Sequence, residues 1–288
     1  MYHNPLMISV IVSTYNRPDA LCLVLLALAQ QDVKAFEVIV ADDGSTNKTK
    51  QVIESLKIKV DYTLSHVWHE HSDFRAAQIR NKSVANASGD YLIFLDGDSI
   101  PQTSFVRQHQ KLAEENYFVA GNRILLSSDF TDSVLQKQLP LQQWNMWHWF
   151  KGFCSGWTNR FLPILPLGGR YWRYLRRTRW QGVKTCNLGM WKKDFFAVNG
   201  FDESYSGWGY EDSDLAIRLI RNKVLRKDGH FAVPVFHLWH PENGRGREPI
   251  NYQKLKEIEN STRIRATTGV DQYSILQQQQ FSTNIRIA

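Results

Sequence analysis

The chain has 288 residues, 43% of them hydrophobic, and a net charge of +7. This length suits one large α/β domain or a domain with an appended subdomain, and the positive charge favours an anionic partner such as a nucleotide, an acidic glycan, a phospholipid or a nucleic acid. Three widely spaced cysteines do not suggest a disulfide framework and favour a reducing compartment. No apolar run is long enough to cross a membrane, and the N-terminus lacks a signal-peptide pattern, so we expect a cytoplasmic protein.

Strands are predicted to alternate with helices through the first third of the chain. Short β-branched, apolar runs indicate strands, and stretches with helical spacing of apolar residues follow them. This alternation is typical of βαβ units, so we predict an α/β fold with a mostly parallel central sheet flanked by helices. The predicted strands are 8–13, 36–41, 59–65 and 91–95, and the predicted helices are 18–31, 46–56 and 74–87.

Two carboxylates directly follow the most apolar of these strands, 91–95. Asp96 and Asp98 flank Gly97, whose missing side chain lets a ligand approach the backbone. Ligands of open α/β sheets bind at the carboxyl ends of the strands. Neighbouring carboxylates repel each other unless a cation lies between them, and their hard oxygens suit Mg²⁺ or Mn²⁺. The pattern predicts a metal site; the alternative is a surface turn rich in Asp and Gly.

Polar loops also follow the first two predicted strands, at 14–17 and 42–45. Polar groups at the ends of several parallel strands meet at one edge of the sheet, where they can build a nucleotide pocket. The sequence has neither the glycine-rich fingerprint of dinucleotide-binding enzymes nor a P-loop, so both of these classes are disfavoured.

The segment 126–182 interrupts the alternation and is rich in aromatic and cationic side chains. This composition suits a surface that contacts anionic headgroups, since Trp and Tyr lie at such boundaries and Arg pairs with phosphate. Two alternatives remain open: an insertion whose aromatic side chains pack on the main core, and a surface that stacks nucleic-acid bases. The segment contains six of the ten tryptophans, Trp144, Trp147, Trp149, Trp157, Trp172 and Trp180, and the cluster Arg170, Arg173, Arg176, Arg177 and Arg179.

A Gly-Trp-Gly-Tyr-Glu-Asp stretch precedes the next predicted helix, 212–221, after a strand-like segment at 184–191. Glu211 and Asp212 would lie at the helix N-terminus, where the positive end of the helix dipole favours ionised carboxylates. Simple helix capping is the alternative. The glycines and Trp208 would build an aromatic wall beside these carboxylates.

A late strand, predicted at 233–240, ends in His237 and His240. Neutral imidazole can ligate a metal beside carboxylates. Residues three apart on a strand point to opposite faces, so we expect only one of the two to reach the metal. A basic helix is predicted at 251–266, and the glutamine-rich tail is expected to be loosely ordered.

Together these motifs resemble the family 2 glycosyltransferases of GT-A fold. Residues 207–214 are further similar to the C-terminal half of β-1,4-galactosyltransferases and of chondroitin-polymerase-type enzymes, which have a Trp-Gly-x-Glu-Asp stretch and then a late metal-binding histidine. Tyr210 stands where the galactosyltransferases have a second glycine. The likeness covers about residues 7–125 and 183–245, and its motifs are Ser13-Thr14-Tyr15-Asn16-Arg17, Asp42-Asp43-Gly44-Ser45, Arg80-Asn81, Asp96-Gly97-Asp98 and Glu211-Asp212.

The resemblance implies roles for individual residues. The metal would be ligated by Asp98, with Asp96 holding the ribose or a metal-bound water and either His237 or His240 completing the coordination. The nucleotide sugar would be bound by Thr14, Tyr15, Arg17, Arg80, Asp96 and either Asp43 or Asp42. The general base would be Asp212, and the acceptor would be positioned by Glu211, Trp208 and Gly209.

The resemblance further implies an inverting transferase that uses Mn²⁺ or Mg²⁺ and moves a sugar from a UDP-sugar to a saccharide acceptor. It would extend a surface polysaccharide, a lipopolysaccharide or a lipid-linked oligosaccharide, bound peripherally to an anionic membrane at its inner face. Residues 1–125 would bind the nucleotide sugar, 126–182 would face the acceptor or the membrane, 183–250 would bind the acceptor and catalyse, and 251–288 would form a helix and tail. Open alternatives are a retaining transferase or nucleotidyltransferase of the same fold, or a catalytically silent protein that binds carbohydrate or polyanion; nucleic acid is the least favoured partner.

Overall fold

A seven-stranded sheet forms the centre of the protein, with the strand order β3-β2-β1-β4-β8-β6-β9. The computed structural model describes residues 6–167, 169, 171–241 and 244–273, so the predictions for Arg170 and for the tail after residue 273 lie outside the described residues. The strands are β1 (Ile8–Thr14), β2 (Phe36–Asp42), β3 (Thr63–Trp68), β4 (Tyr91–Asp96), β5 (Ser99–Pro101), β6 (Tyr117–Ala120), β7 (Asn122–Leu125), β8 (Asn187–Trp191), β9 (Leu225–Asp228) and β10 (Pro234–His237). The helices are α1 (Pro18–Ala29), α2 (Asn47–Lys57), α3 (Ala76–Ala85), α4 (Phe105–Leu112), α5 (Ser128–Lys137), α6 (Met146–Cys154), α7 (Lys192–Ala197), α8 (Glu211–Arg221) and α9 (Glu248–Glu259).

The predicted mostly parallel sheet is confirmed. Among the described strands, β3, β2, β1 and β4 pair in parallel, and so do β6 and β9. Only β8 runs antiparallel to its two neighbours, β4 and β6. The chain therefore changes strand direction between β4 and β8, next to the strand that ends in the paired carboxylates.

Helices cover both faces of the sheet, which is why its central strands are almost wholly apolar. Alternate residues of each strand contribute to opposite cores, as Val10 and Ile11 of β1 illustrate. The Val10 side packs against α1 and α2, and the Ile11 side packs against α3, α7 and α8. All six strand positions of β4 except the terminal Asp96 are buried, so β4 ends abruptly where its first polar residue meets the edge of the sheet.

Several predicted boundaries shift. β3 lies at 63–68 rather than 59–65 because it pairs with β2 as far as Asp42, and as an edge strand it carries too few apolar residues to mark its own ends. The last predicted strand ends at 237 instead of 240. The C-terminal helix lies at 248–259 rather than 251–266, since it begins one residue before Pro249, a residue favoured in first turns.

A second, three-stranded sheet in the order β5-β10-β7 brings the end of the chain to the paired carboxylates. β10 pairs antiparallel with β5, which places His237 opposite Ser99. The backbone N–H of Leu238 donates to the carbonyl oxygen of Asp98 at 2.9 Å. This pairing fixes a distant histidine beside Asp98.

The aromatic side chains of 126–182 divide between the core and the surface. Trp149 of α6 is fully buried and stacks on Phe236, with ring centroids 3.7 Å apart. Trp157 stacks on Phe130 of α5 at 4.6 Å. Trp147, by contrast, is 60% exposed. Packing on the core therefore explains some of the aromatic side chains of this segment, while others, such as Trp147, are exposed on the surface.

Arg173 does not belong to an exposed cationic cluster. It is buried, and its guanidinium donates to the backbone oxygens of Asp228 at 2.8 Å and His230 at 3.0 Å. Arg176, Arg177 and Arg179 remain exposed. Within the described ranges, no helix is both long and apolar enough to cross a membrane.

Candidate active site

A cleft of about 570 Å³ opens at the carboxyl edge of β1, β2 and β4. The three loops predicted to share this edge do meet there, and the start of α8 and the end of β10 close the opposite side. The cleft is lined by most of the predicted site residues, namely Thr14, Tyr15, Arg17, Asp43, Arg80, Asp96, Asp98, Trp208, Gly209, Glu211, Asp212, His237 and His240.

Asp98, His237 and His240 form one cluster that could hold a metal ion. One ligand atom from each lies within 4.8 Å of the others. Nε2 of His237 lies 3.5 Å from Oδ1 of Asp98, and Nε2 of His240 lies 3.4 Å from Oδ2. The expectation that only one histidine reaches the site is wrong, because β10 ends at His237 and the chain leaves the strand before His240.

The chemistry of this cluster fits a divalent transition metal. Oδ1 of Asp98 is buried and accepts no hydrogen bond from the described residues, so it keeps a free lone pair. Burial lowers the pKa of His237, which leaves its imidazole neutral and able to ligate. Two imidazole nitrogens beside one carboxylate suit Mn²⁺ better than Mg²⁺, which prefers oxygen ligands.

Asp96 lies outside this cluster of three. Its Oδ1 is 3.4 Å from Nη2 of Arg80, and burial raises the pKa of its carboxyl group. The structure therefore leaves Asp96 paired with a cation at the floor of the cleft. Its predicted contact with ribose or with a metal-bound water stays a prediction.

Arg80 connects the two halves of the site. It is buried, and it donates to Glu211 Oε1 at 3.0 Å and to Ser13 Oγ at 3.0 Å in addition to its contact with Asp96. Through these contacts Arg80 holds Glu211 and Asp96 in place, and it also lines the cleft. Its predicted contact with the nucleotide stays a prediction.

Asp212 stands at the first turn of α8, facing the cleft. Burial, and then the neighbouring Glu211, raise the pKa of Asp212 to about 6. The helix dipole was expected to favour the ionised form, but here the loss of water outweighs it. A carboxylate with a pKa near neutrality can accept a proton and return it, which is what a general base requires.

The glycines in the loop before Asp212 are explained by the conformation of its backbone. Gly207, Gly209 and Tyr210 all adopt positive φ, of 74°, 108° and 74°. Tyr210 therefore keeps the left-handed conformation for which a second glycine would be better suited. Its ring packs against Tyr252 of α9 at 5.5 Å.

At the other end of the cleft, Asp43 is the one of the two adjacent aspartates that lines the pocket. It accepts from His69 Nε2 at 2.6 Å and from the backbone N–H of Arg75 at 2.8 Å. Asp42 is buried and held by His66 and by the backbone N–H of Ser45. Of the two alternatives, Asp43 is therefore the one that a ligand in the cleft can contact; its predicted role in binding the uracil or the ribose stays a prediction.

The sequence interpretation missed the histidines of the segment 66–71. The ring of His71 stacks on the cleft residue Tyr15 at 4.8 Å and lines an adjoining pocket that shares Tyr15 and Asp43 with the cleft. His69 orients Asp43. Three histidines within six residues were a visible signal, but β3 was predicted to end before them. The sequence interpretation also missed two cations that line the cleft, Arg123 and Lys184, because neither belongs to a recognisable motif.

Two polar centres therefore line one sheet-edge cleft: a carboxylate–imidazole cluster and a carboxylate at a helix start. On a mostly parallel sheet flanked by helices, this is the architecture of a GT-A glycosyltransferase. Residues 9–177 match the family model described as glycosyl transferase family 2, and residues 171–231 match the one described as the N-terminal domain of galactosyltransferase. The chain belongs to glycosyltransferase family 2, as its motifs predicted.

Curated relatives and solved structures agree with this assignment. The chain is 29% identical over 229 residues to validoxylamine A glucosyltransferase of Streptomyces hygroscopicus subsp. jinggangensis (strain 5008), covering 75% of this chain and 52% of that protein. It is 27% identical over 287 residues to hyaluronan synthase of Pasteurella multocida, covering 90% of this chain and 29% of that protein. The chain thus spans about half, or less, of the length of these relatives.

Among solved structures, GalNAc-T7 with UDP, GalNAc and Mn²⁺ is similar with a TM-score of 0.60 at 14% identity. The match covers 88% of this chain and 48% of that one. At this identity the similarity concerns the fold, and it confirms the predicted GT-A architecture.

Proposed function

We propose that this protein is an inverting, metal-dependent glycosyltransferase that moves a sugar from a nucleotide sugar, with UDP as the favoured nucleotide, to a saccharide hydroxyl. The observation that carries the proposal is the placement of Asp212, with its pKa raised to about 6, in the same cleft as the cluster of Asp98, His237 and His240. The first can serve as a base and the second can hold the divalent ion that a diphosphate leaving group needs.

The donor would lie along the edge of β1, β2 and β4. Its base would pack beside the stacked rings of Tyr15 and His71, where the cleft and the adjoining pocket meet, with its polar edge at Asp43. A structural neighbour that holds UDP together with Mn²⁺ supports this choice of nucleotide and metal. A divalent ion bound by Asp98, His237 and His240 would act as a Lewis acid that neutralises the charge of the departing diphosphate.

Asp212 would take the proton of the acceptor hydroxyl while its oxygen attacks the anomeric carbon. The new carbon–oxygen bond forms on one face, the bond to the diphosphate breaks on the other, and the pair of electrons leaves with the diphosphate. This displacement inverts the anomeric centre and needs a base but no enzyme nucleophile. Arg80 would keep Glu211 beside Asp212, so that the acceptor meets a fixed surface.

The acceptor would be a growing saccharide, free or linked to a lipid, on the side of the cleft formed by Trp208 and Gly209. Relatives named as a hyaluronan synthase and a chondroitin synthase support a polysaccharide product. We place the reaction in the synthesis of a surface polysaccharide, a lipopolysaccharide or a lipid-linked oligosaccharide at the inner face of a membrane.

Thermal unfolding with a panel of nucleotide sugars tests the donor assignment, because a ligand that binds only the folded state raises its stability. We expect a rise in Tm with UDP-sugars that needs Mn²⁺, and a smaller or absent rise with GDP-sugars. Stabilisation by polyanions alone, without any effect of nucleotide sugars, would instead support a silent binding protein.

A further inference from the structure

The outward face of α6 is an apolar surface with no partner among the described residues. Trp147, Phe150 and Phe153 are 60%, 42% and 43% exposed, and Leu162 is 66% exposed. Phe161 joins them, since its ring contacts Phe150 at 5.5 Å and Phe153 at 6.1 Å. We call these five residues the α6 patch; contiguous exposed apolar side chains of this kind mark interaction surfaces.

The patch is not a loosely packed part of the core. The opposite side of α6 is closed by Trp149, which stacks on Phe236, and by the buried Gly152. The helix is therefore anchored through one face, and the aromatic rings of its other face project outward. Trp147 and Phe150 stack on each other at 5.8 Å, which keeps these rings together on that face.

Two cations adjoin the patch, in a part of the sequence without acidic residues. From residue 133 to residue 193 the sequence has no Asp or Glu, whereas Lys and Arg occur at 137, 151, 160, 170, 173, 176, 177, 179, 184, 192 and 193. Lys151 lies over the ring of Trp147 at 5.4 Å, and the exposed Arg160 directly precedes Phe161. The apolar surface is thus bordered by cations.

We propose that the α6 patch binds the surface of an anionic lipid bilayer, with its aromatic rings in the headgroup region and its cations on lipid phosphates. Trp and Phe flanked by Lys and Arg are the composition of helices that lie in a membrane interface. A second copy of the chain fits less well, because a two-fold contact through this patch would gather the cations Lys151 and Arg160 of both copies in one interface.

The patch is connected to the rim of the cleft. Asn159 Oδ1 accepts from the backbone N–H of Leu125 at 3.0 Å, and the Asn159 N–H donates to the Leu125 carbonyl at 3.1 Å. Leu126, the next cleft-lining residue, forms a bridge with Thr158. A bilayer at the patch would lie beside the cleft. This inference rests on the proposed function, since it says where a lipid-linked acceptor would enter.

Sedimentation with vesicles tests the surface without using the reaction. The parent protein is expected to sediment with mixed phosphatidylcholine–phosphatidylglycerol vesicles and much less with phosphatidylcholine alone. Lys151→Gln with Arg160→Gln should weaken binding to the anionic vesicles roughly thirty-fold, from about 1 kcal/mol per charge. The matched control, Lys48→Gln with Lys50→Gln, removes two exposed cations of α2 and should leave binding unchanged.

Replacement of Trp147 and Phe150 by Ser should abolish vesicle binding, whereas Ile58→Ser with Ile250→Ser, two exposed apolar residues elsewhere, should not. Trp147→Phe should keep binding but lose part of the tryptophan quenching by brominated lipids. A parent protein that does not bind anionic vesicles overturns the proposal. The proposal is also overturned if the parent is a dimer that dissociates when the two Ser substitutions are made. It is likewise overturned if an oligonucleotide competes with the vesicles for the patch and binds it more tightly.

Sugar transfer to a soluble acceptor is measured on the same variants. Intact transfer in a variant that no longer binds vesicles supports the surface and shows that the protein is folded. A parent that binds vesicles but transfers no sugar would overturn the proposed function and still support the patch.

Discussion

Arg80 of α3 and Glu211 of α8 form an ion pair at 3.0 Å, although 131 positions separate them in the chain. Both side chains are largely buried, with 6% and 12% of their surfaces exposed. The pair connects the start of α8 to the half of the cleft that would bind the donor. Asp212 lies at this start of α8. The same guanidinium reaches Asp96, so one side chain sets the spacing of both walls.

The first prediction concerns the stability of this pair. Arg80→Ala should lower the free energy of unfolding by about 3–5 kcal/mol, because it leaves Glu211 and Asp96 buried without their cation. Denaturant unfolding measures it. The control is Lys193→Ala, which breaks the exposed pair with Glu115 and should change stability little. A loss no larger than that of the control would mean that Arg80 is not the connection described here.

The second prediction concerns Asp212 as the base. Asp212→Asn keeps the shape of the side chain and removes its proton acceptor, so turnover should fall by roughly 10²–10⁴-fold. Binding of UDP with Mn²⁺ should be almost unchanged, which calorimetry can show. Asp129→Asn, also a first-turn aspartate but on the exposed side of α5, is the matched control. Near-parent turnover in Asp212→Asn would exclude this residue as the base.

The third prediction concerns pH. Because the pKa of Asp212 is raised to about 6 by burial and by Glu211, the rate of sugar transfer by the parent protein should fall as the pH drops through about 6.

The contribution of Asp212 to the free energy of unfolding should change with pH in the opposite direction. A carboxyl whose pKa is higher in the folded state than in the unfolded state favours folding at low pH, and this contribution is lost as the pH rises towards 6.

It follows that Asp212→Asn should raise the Tm above pH 6 and change it little below the ordinary pKa of an aspartate. Thermal scans in the presence of a chelator measure this without a contribution from metal binding. A Tm that falls on substitution would contradict the buried setting assigned to Asp212.

The fourth prediction concerns the metal. Asp98→Ala should remove the dependence of UDP binding on Mn²⁺, since Asp98 is the carboxylate between the two histidines. His237→Ala and His240→Ala should each weaken this dependence, whereas His148→Ala, an exposed histidine of α6, should not. Titration calorimetry with UDP and each metal gives the result, and Mn²⁺ should support tighter binding than Mg²⁺. If His240→Ala behaves as the parent, only His237 contributes.

Much of this site follows from local sequence patterns. The run 91–95 is apolar because β4 is covered on both faces, and the carboxylates come where the strand ends, so their position at the sheet edge is predictable. The helix start at Glu211 is predictable for a similar reason, since acidic side chains accumulate in first turns.

The remaining features depend on contacts between distant segments. Both histidines reach Asp98 because β10 pairs with β5 and then ends, and spacing alone cannot show where a strand stops. The engagement of Arg80 with Glu211, and the division of tryptophans between core and surface, likewise require the packed molecule. In 126–182, composition favoured a headgroup-facing surface and left core packing open, because it could not tell the buried Trp149 from the exposed Trp147.

The anomeric configuration of the product tests the central claim most directly. The protein, Mn²⁺ and the α-linked UDP-sugar that stabilises it most strongly are incubated with a saccharide acceptor, and proton NMR reads the new linkage. Displacement assisted by Asp212 from the face opposite the diphosphate predicts a β-linked product. An α-linked product would contradict the account, because retention cannot arise from the single displacement that this cleft is proposed to perform.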